Sequence, residues 1–198
     1  MRGVILAGGH ATRFGGQPKG LLAVGGRRVL DRVMEACTTA FVVPPLVVAN
    51  DPSAATWAPH LDVVPDLLPD AGPLGGLLTA IECGPAPVVV VAWDMPFVTA
   101  PLLRALADGL AGADLCLPAS PGRRGVEPLC AAYGAACGPA IRASLAAGAR
   151  EAIAFHASVR VRVLPLDVIA AFGDPRHLFD NVNTPDDLHR ANRADAPA

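Results

Sequence analysis

The stretch that most constrains this chain is residues 6–22, LAGGHATRFGGQPKGLL. It follows the apolar run Val4-Ile5-Leu6 and sets the glycine pairs Gly8-Gly9 and Gly15-Gly16 beside Arg13 and Lys19. A strand that opens into a Gly-rich loop exposes backbone N–H groups, and N–H groups near cations bind phosphate. The stretch reads as a nucleotide cradle. It is neither of two familiar phosphate loops. A dinucleotide fingerprint needs G-x-G-x-x-G, whereas these glycines come in pairs. A Walker A loop needs Lys directly after Gly and then Ser or Thr, whereas Lys19 follows Pro18 and precedes Gly20.

Beyond the loop, strand-like and helix-like segments alternate. Gly25-Gly26 reads as a turn, and Val29, Leu30, Val33, Met34 and Cys37 recur at helical spacing with Asp31, Arg32 and Glu35 between them. Pro44 and Pro45 stop any helix, and residues 46–49 form a short strand ending at Asn50. A strand over 61–64 ends in Pro65-Asp66. A glycine-rich loop over 72–76 and a helix over 77–83 follow, then an apolar run over 88–93 suited to a sheet buried on both faces. A helix over 99–113, a strand over 115–118, an Ala-rich helix over 135–147 and a strand over 159–164 complete the series. Repeated strand–helix units imply an α/β, Rossmann-like, doubly wound and mostly parallel sheet in a single domain over 1–198. The crevice of such a sheet lies at the strands' carboxyl ends. Gly8, Asn50, Asp66 and Asp94 all fall there.

Composition narrows the function. A formal charge of -2 argues against a nucleic-acid surface. The apolar runs fall short of the roughly 18 residues of a membrane span, and the N-terminal run is too short for a signal segment, so a cytoplasmic protein is expected. The five cysteines form no C-x-x-C pair and read as buried small hydrophobes in a reducing compartment. The histidines show no ligand spacing, so neither zinc nor an iron–sulfur cluster is expected.

Asp94 is the candidate metal ligand, because it leaves the sheet directly after an apolar run and Mg²⁺ binds through few carboxylates plus phosphates and waters. The alternative is a turn or cap before the helix at Pro101. Asp66 reads as a turn residue or a nucleotide contact, and the 72–76 loop as an approach to the base or a tight packing point. Arg123 and Arg124 suit either an anion or a solvated turn. Thr184, Pro185 and Asp187 make a helix start, which leaves Asn181 and Asn183 unexplained. The tail after Asn192 is expected to fray.

The pattern Leu6-Ala7-Gly8-Gly9, Arg13-Phe14-Gly15-Gly16, Lys19-Gly20-Leu21-Leu22, with Phe179-x-Asn181-Val182-Asn183-Thr184-Pro185 near the other end, resembles the molybdenum cofactor guanylyltransferase (MobA) family of nucleotidyltransferases. The resemblance implies transfer of GMP from GTP to the terminal phosphate of molybdopterin, with Mg²⁺ on Asp94. It implies GTP contacts from Leu6, Ala7, Gly8, Gly9, Lys19, Asn50, Asp66 and Asp94, catalytic roles for Arg13, Lys19 and Asp94, and acceptor contacts from Asn181 and Asn183. The Glu127-Pro128-Leu129 to Tyr133 segment resembles the family's strand across the acceptor side. Where the family often has Asn-Ala-Asn, this chain has Val48-Ala49-Asn50, so one amide is missing. Other cofactor-biosynthesis proteins and a recipient molybdoenzyme are the implied partners. The rival readings are a cytidylyl or sugar nucleotidyltransferase of the same fold, a non-catalytic adaptor delivering nucleotide or cofactor, and a dinucleotide-dependent oxidoreductase. The missing G-x-G-x-x-G opposes the last.

Overall fold

The computed structural model describes residues 1–8, 18–84 and 86–195. In chain order the elements are β1 (Arg2–Leu6), β2 (Ala23–Val24), β3 (Arg27–Arg28), α1 (Val29–Ala40), β4 (Val43–Val48), α2 (Ala54–Trp57), β5 (Val63–Val64) and α3 (Gly72–Cys83). They continue with β6 (Val88–Ala92), α4 (Ala100–Asp108), β7 (Leu115–Pro118), β8 (Cys130–Tyr133), α5 (Cys137–Ala146), β9 (Val161–Leu164), α6 (Leu166–Ile169) and α7 (Pro185–Ala194).

Seven strands form one sheet in the order β5-β4-β1-β6-β8-β7-β9. The first four run parallel, β8 is antiparallel to both β6 and β7, and β9 returns parallel to β7. The sheet is mostly parallel and wound from both faces. Along β6 every residue is buried, as a strand covered on both sides requires. Val89 and Val91 face the cluster that holds Leu30, Leu102 and Leu106 from α1 and α4. Val88 and Val90 face the cluster that holds Leu74, Leu78 and Ile141 from α3 and α5. The order reverses at β1, with β4 on one side and β6 on the other, and a crevice opens there at the carboxyl ends.

Several boundaries differ from the sequence reading, each for a local reason. β4 begins at Val43 and includes Pro44 and Pro45. The β1–β4 register shifts between Arg2 and Val4, beside those prolines, so a missing N–H there breaks no regular ladder. The glycine-rich segment expected as a loop before a helix at residue 77 is the first turns of α3 itself. α4 stops at Asp108 rather than Ala113, and single turns through Leu110 and Ala113 carry the chain onward. Gly25 and Gly26, at φ +57° and +77°, make the turn of a β2–β3 hairpin that the sequence reading left unassigned. Where fraying was expected after Asn192, α7 continues to Ala194, and Asp195 pairs with the Arg32 guanidinium through two hydrogen bonds of 2.8 and 2.5 Å. All five cysteines are free, and Cys83 is exposed rather than buried. No helix among the described residues is long and apolar enough to cross a membrane.

Candidate active site

The end of β1 is locked between its neighbours. Ala7 donates its N–H to Val48 at 2.8 Å, and the Leu6 carbonyl accepts from Trp93 at 3.1 Å. Gly8 then emerges exposed at the mouth of the crevice. Gly9 and Arg13 lie outside the described residues. The chain re-enters at Pro18, and Lys19 begins a single 3-10 turn, Lys19–Leu21. That turn lies directly on the Trp93 ring: a Cβ on Gly20 would stand 2.4 Å from the indole, so only glycine lets the backbone approach this closely. Trp93 in turn stacks on Trp57, with ring centroids 5.0 Å apart. An aromatic pair thus supports the lysine-bearing turn.

Lys19 and Asp94 meet across the crevice. The Lys19 Nζ donates to the Asn183 side-chain oxygen at 2.5 Å and lies 4.0 Å from the Asp94 carboxylate. All three belong to distant parts of the sequence. Burial raises the Asp94 pKa, Lys19 lowers it, and the charge of Asp187 adds to the rise. Burial therefore disfavours the ionised Asp94 carboxylate by more than Lys19 offsets. The Asp94 carbonyl accepts the Val182 N–H at 2.9 Å, and this bond brings the C-terminal Asn181–Asn183 segment to the site. Thr184 caps α7 as expected, accepting the Asp187 N–H at 3.2 Å. Asp187 reaches back to accept the Asn183 N–H at 2.9 Å. Burial pushes the Asp187 carboxyl up, but hydrogen bonds with Thr184, Asn183 and Arg190 outweigh it and hold the pKa down. The Asn181 side-chain oxygen is buried with no partner among the described residues.

Glu127 is a further acid here, and the sequence reading gave it no role of its own. β8 runs antiparallel to β6, so its beginning meets the end of β6, where Ala92 donates to the Leu129 carbonyl at 2.7 Å. Burial raises the Glu127 pKa, the Leu129 N–H bonded to its carboxylate at 3.0 Å lowers it, and Asp94 raises it further. Only strand direction could have shown this proximity. Arg123 and Arg124 are exposed on a turn closed by the Gly125 N–H to the Gly122 carbonyl at 2.9 Å, and Arg124 partly offsets the Glu127 charge.

Asn50 and Asp66 form a separate group at the ends of β4 and β5. The Asn50 Nδ2 donates to the Asp66 carboxylate at 2.8 Å, while the Asn50 side-chain oxygen accepts the Asp66 backbone N–H at 2.8 Å. Both ends of the Asn50 amide are thus engaged on one residue. Carboxylate, amide and lysine groups form an oxygen-rich site suited to phosphates and a hard divalent cation. Among the described residues no group of three or more His, Cys, Asp or Glu could hold a metal by itself.

Comparison with known proteins gives the family and the fold. Residues 3–161 match the family model of the MobA-like NTP transferase domain. A Pelotomaculum thermopropionicum protein named "Probable molybdenum cofactor guanylyltransferase" is 37% identical over 193 residues, covering 96% of this chain and 90% of that protein. The crystal structure of molybdopterin-guanine dinucleotide biosynthesis protein A from Archaeoglobus fulgidus superposes with a TM-score of 0.82 at 26% identity, covering 98% of each chain. Rv0371c from Mycobacterium tuberculosis, solved in complex with manganese, shares the fold at a TM-score of 0.68 and 20% identity, again over 98% of each chain. The chain belongs to the MobA-like NTP transferase family.

Proposed function

We propose that this protein transfers the GMP portion of GTP to the terminal phosphate of molybdopterin carrying its metal, releasing pyrophosphate and forming the guanine dinucleotide cofactor. The observation that carries the reading is the convergence of Lys19, Asp94 and Asn183 at the carboxyl ends of β1 and β6. Family membership supports the same chemistry. An oxygen of the acceptor phosphate attacks the α-phosphorus, the bond to the bridging oxygen breaks, and pyrophosphate carries away the electron pair. Because that phosphate is already ionised near neutral pH, the site needs to bring anions together rather than remove a proton.

Lys19 would neutralise charge gathering on the pyrophosphate, and Arg13 would join it from the adjoining loop. The backbone at Leu6, Ala7, Gly8 and Gly9 would seat the nucleotide, with Asp66 as its polar contact. Asn181 and Asn183 would face the acceptor, and the unpartnered Asn181 oxygen suits a donor on that ligand. A divalent cation fits Asp94, whose partly buried carboxylate lacks full compensation in a crevice of hard oxygen donors. We assign Mg²⁺ to that position, where Asp94 would help hold it and it would neutralise charge developing on the phosphates. A cytoplasmic setting and handover to a molybdoenzyme complete the reading.

The test is transfer of label from α-labelled GTP to molybdopterin in Mg²⁺, with calorimetry of GTP, CTP and ATP binding alongside. Metal-dependent preference for GTP with formation of the dinucleotide supports the proposal. Preference for CTP would keep the reaction class and change the product, and binding without transfer would leave an adaptor.

A further inference from the structure

Thr79, in the middle of α3, is the only polar residue, aromatics and cysteines aside, that is buried among those described, with none of its surface exposed. A hydroxyl in that position requires two partners, and both are present. It donates its proton to the Gly75 carbonyl one turn earlier at 3.0 Å, and it accepts the Leu67 backbone N–H at 2.9 Å. The first bond is a common way for a helical threonine to satisfy itself. The second reaches twelve residues back, to the position directly after Asp66.

The loop it reaches has little else to hold it. Leu67 and Leu68 are exposed at 45% and 38%, and Asp70 adopts a positive φ of +58° without being glycine. Side-chain packing therefore does not position this segment. Two successive backbone N–H groups do: that of Asp66 is taken by Asn50 after β4, and that of Leu67 by Thr79 on α3. The two anchors come from opposite sides, one from a strand end and one from a helix. Between them they leave Asp66 only its side-chain torsions, and Asn50 restrains those through the carboxylate.

We propose that Thr79 is a positioning residue for nucleotide binding: it acts through the Leu67 N–H to aim the Asp66 carboxylate into the crevice. Asn50 is its counterpart rather than a nucleotide contact, because its amide is already occupied by Asp66. The inference rests on the reading of Asp66 as a GTP contact. A carboxylate held in place before binding leaves less motion to be lost when the ligand arrives, so the hydroxyl should appear in nucleotide affinity.

The experiment is calorimetric titration of GTP, in Mg²⁺, into the wild-type protein, Thr79→Val, Thr79→Ser, Asp66→Asn and the Thr79→Val/Asp66→Asn double variant. Thermal melts establish that each is folded at the working temperature. Valine keeps the shape and removes the hydroxyl, so GTP affinity should fall about five- to tenfold, the weight of one hydrogen bond. Serine should restore affinity to within about twofold of wild type. In turnover, the Thr79→Val loss should fall on the KM for GTP and leave kcat unchanged.

The double variant separates positioning from a general loss of stability, since two residues that act through one another give non-additive effects. Once Asp66 is disabled, removing the hydroxyl should cost no further affinity. Additive losses, or a Thr79→Val protein that binds GTP like wild type while Asp66→Asn does not, would overturn the role of Thr79. An Asp66→Asn protein with wild-type affinity would overturn it differently, by removing Asp66 from the nucleotide. Should Thr79→Val fail to fold, Thr79→Ala in the same cycle gives the same discrimination.

Discussion

Two polar groups line the crevice, and they are built on opposite plans. At the ends of β4 and β5, Asn50 and Asp66 pair through two hydrogen bonds, and the Thr79 hydroxyl, itself bonded to the Gly75 carbonyl, takes the N–H of the next residue, Leu67. At the end of β6, Asp94 and Glu127 are partly buried carboxylates whose pKa values burial raises, Asp94 raises that of Glu127 further, Lys19 stands 4.0 Å from Asp94, and the Asn181 oxygen has no partner among the described residues. The first group is complete without a ligand. The second is complete only with one. This contrast fits a site where one side holds a substrate in place and the other stabilises charge that moves, because preorganised strain concentrates where charge must change hands.

Asp94→Asn is the sharpest test of the contrast. Turnover should fall by about 10³-fold or more, as expected for losing a principal electrostatic group. The melting temperature should rise, because the change removes a partly buried carboxylate that is incompletely compensated. A variant that is both inactive and less stable would show that Asp94 is structurally satisfied, and the contrast would fail. In Mg²⁺, unchanged turnover would remove it from the metal role altogether.

Lys19→Met comes next, with an expected loss of about 10²-fold in kcat. It also leaves the Asn183 oxygen without its donor. Because Asn183 is assigned to the acceptor, the KM for molybdopterin should rise with the fall in kcat, and an effect confined to GTP would separate the two residues. Gly20→Ala tests the aromatic support beneath that lysine. Its Cβ would meet the Trp93 ring at 2.4 Å, and overpacking of this kind costs about 1–3 kcal/mol. A lower melting temperature and a shifted tryptophan fluorescence spectrum are expected, and an unchanged spectrum would show that the turn moves instead of the ring.

The smallest effect is expected far from the crevice, where Asp114 offers a satisfied carboxylate for comparison. Hydrogen bonds from the Arg160 side chain and N–H hold its pKa at about 2. Its folded value lies below the usual one of about 3.9, so its stabilising contribution is full above that value and is lost as pH falls toward 2. Asp114→Asn should therefore melt slightly below wild type at pH 6, with the gap closing in acid. A gap that persists at pH 2 would assign the effect to packing at the β7–β9 edge.

Local patterns made much of this molecule legible. The continuous apolar run of β6, the amphipathic spacing of α1 and the Thr184-Pro185 start of α7 each express a rule acting over a few residues, and the structure follows them. The glycines over 72–76 were harder to read. Their helix forms despite poor propensity because Leu74, Leu77 and Leu78 bury against the sheet, and tertiary packing outweighs propensity. Likewise the proline pair was read as a break, while the shifted register at Arg2–Val4 accommodates it within β4.

The sequence alone determined the fold class, the strand-end position of Asp94 and the family, because apolar periodicity and motif spacing are properties of neighbouring residues. Only the tertiary structure decided which polar groups meet. Lys19 reaches Asn183 across 164 positions, Asn50 turns inward to Asp66 across 16, and Glu127 approaches Asp94 because β8 runs antiparallel to β6. Thr79 looked like any threonine on a helix until the loop after Asp66 was seen to hang from its hydroxyl. Hydrogen bonds and charge act through space, and chain order does not record which ends of a sheet lie side by side.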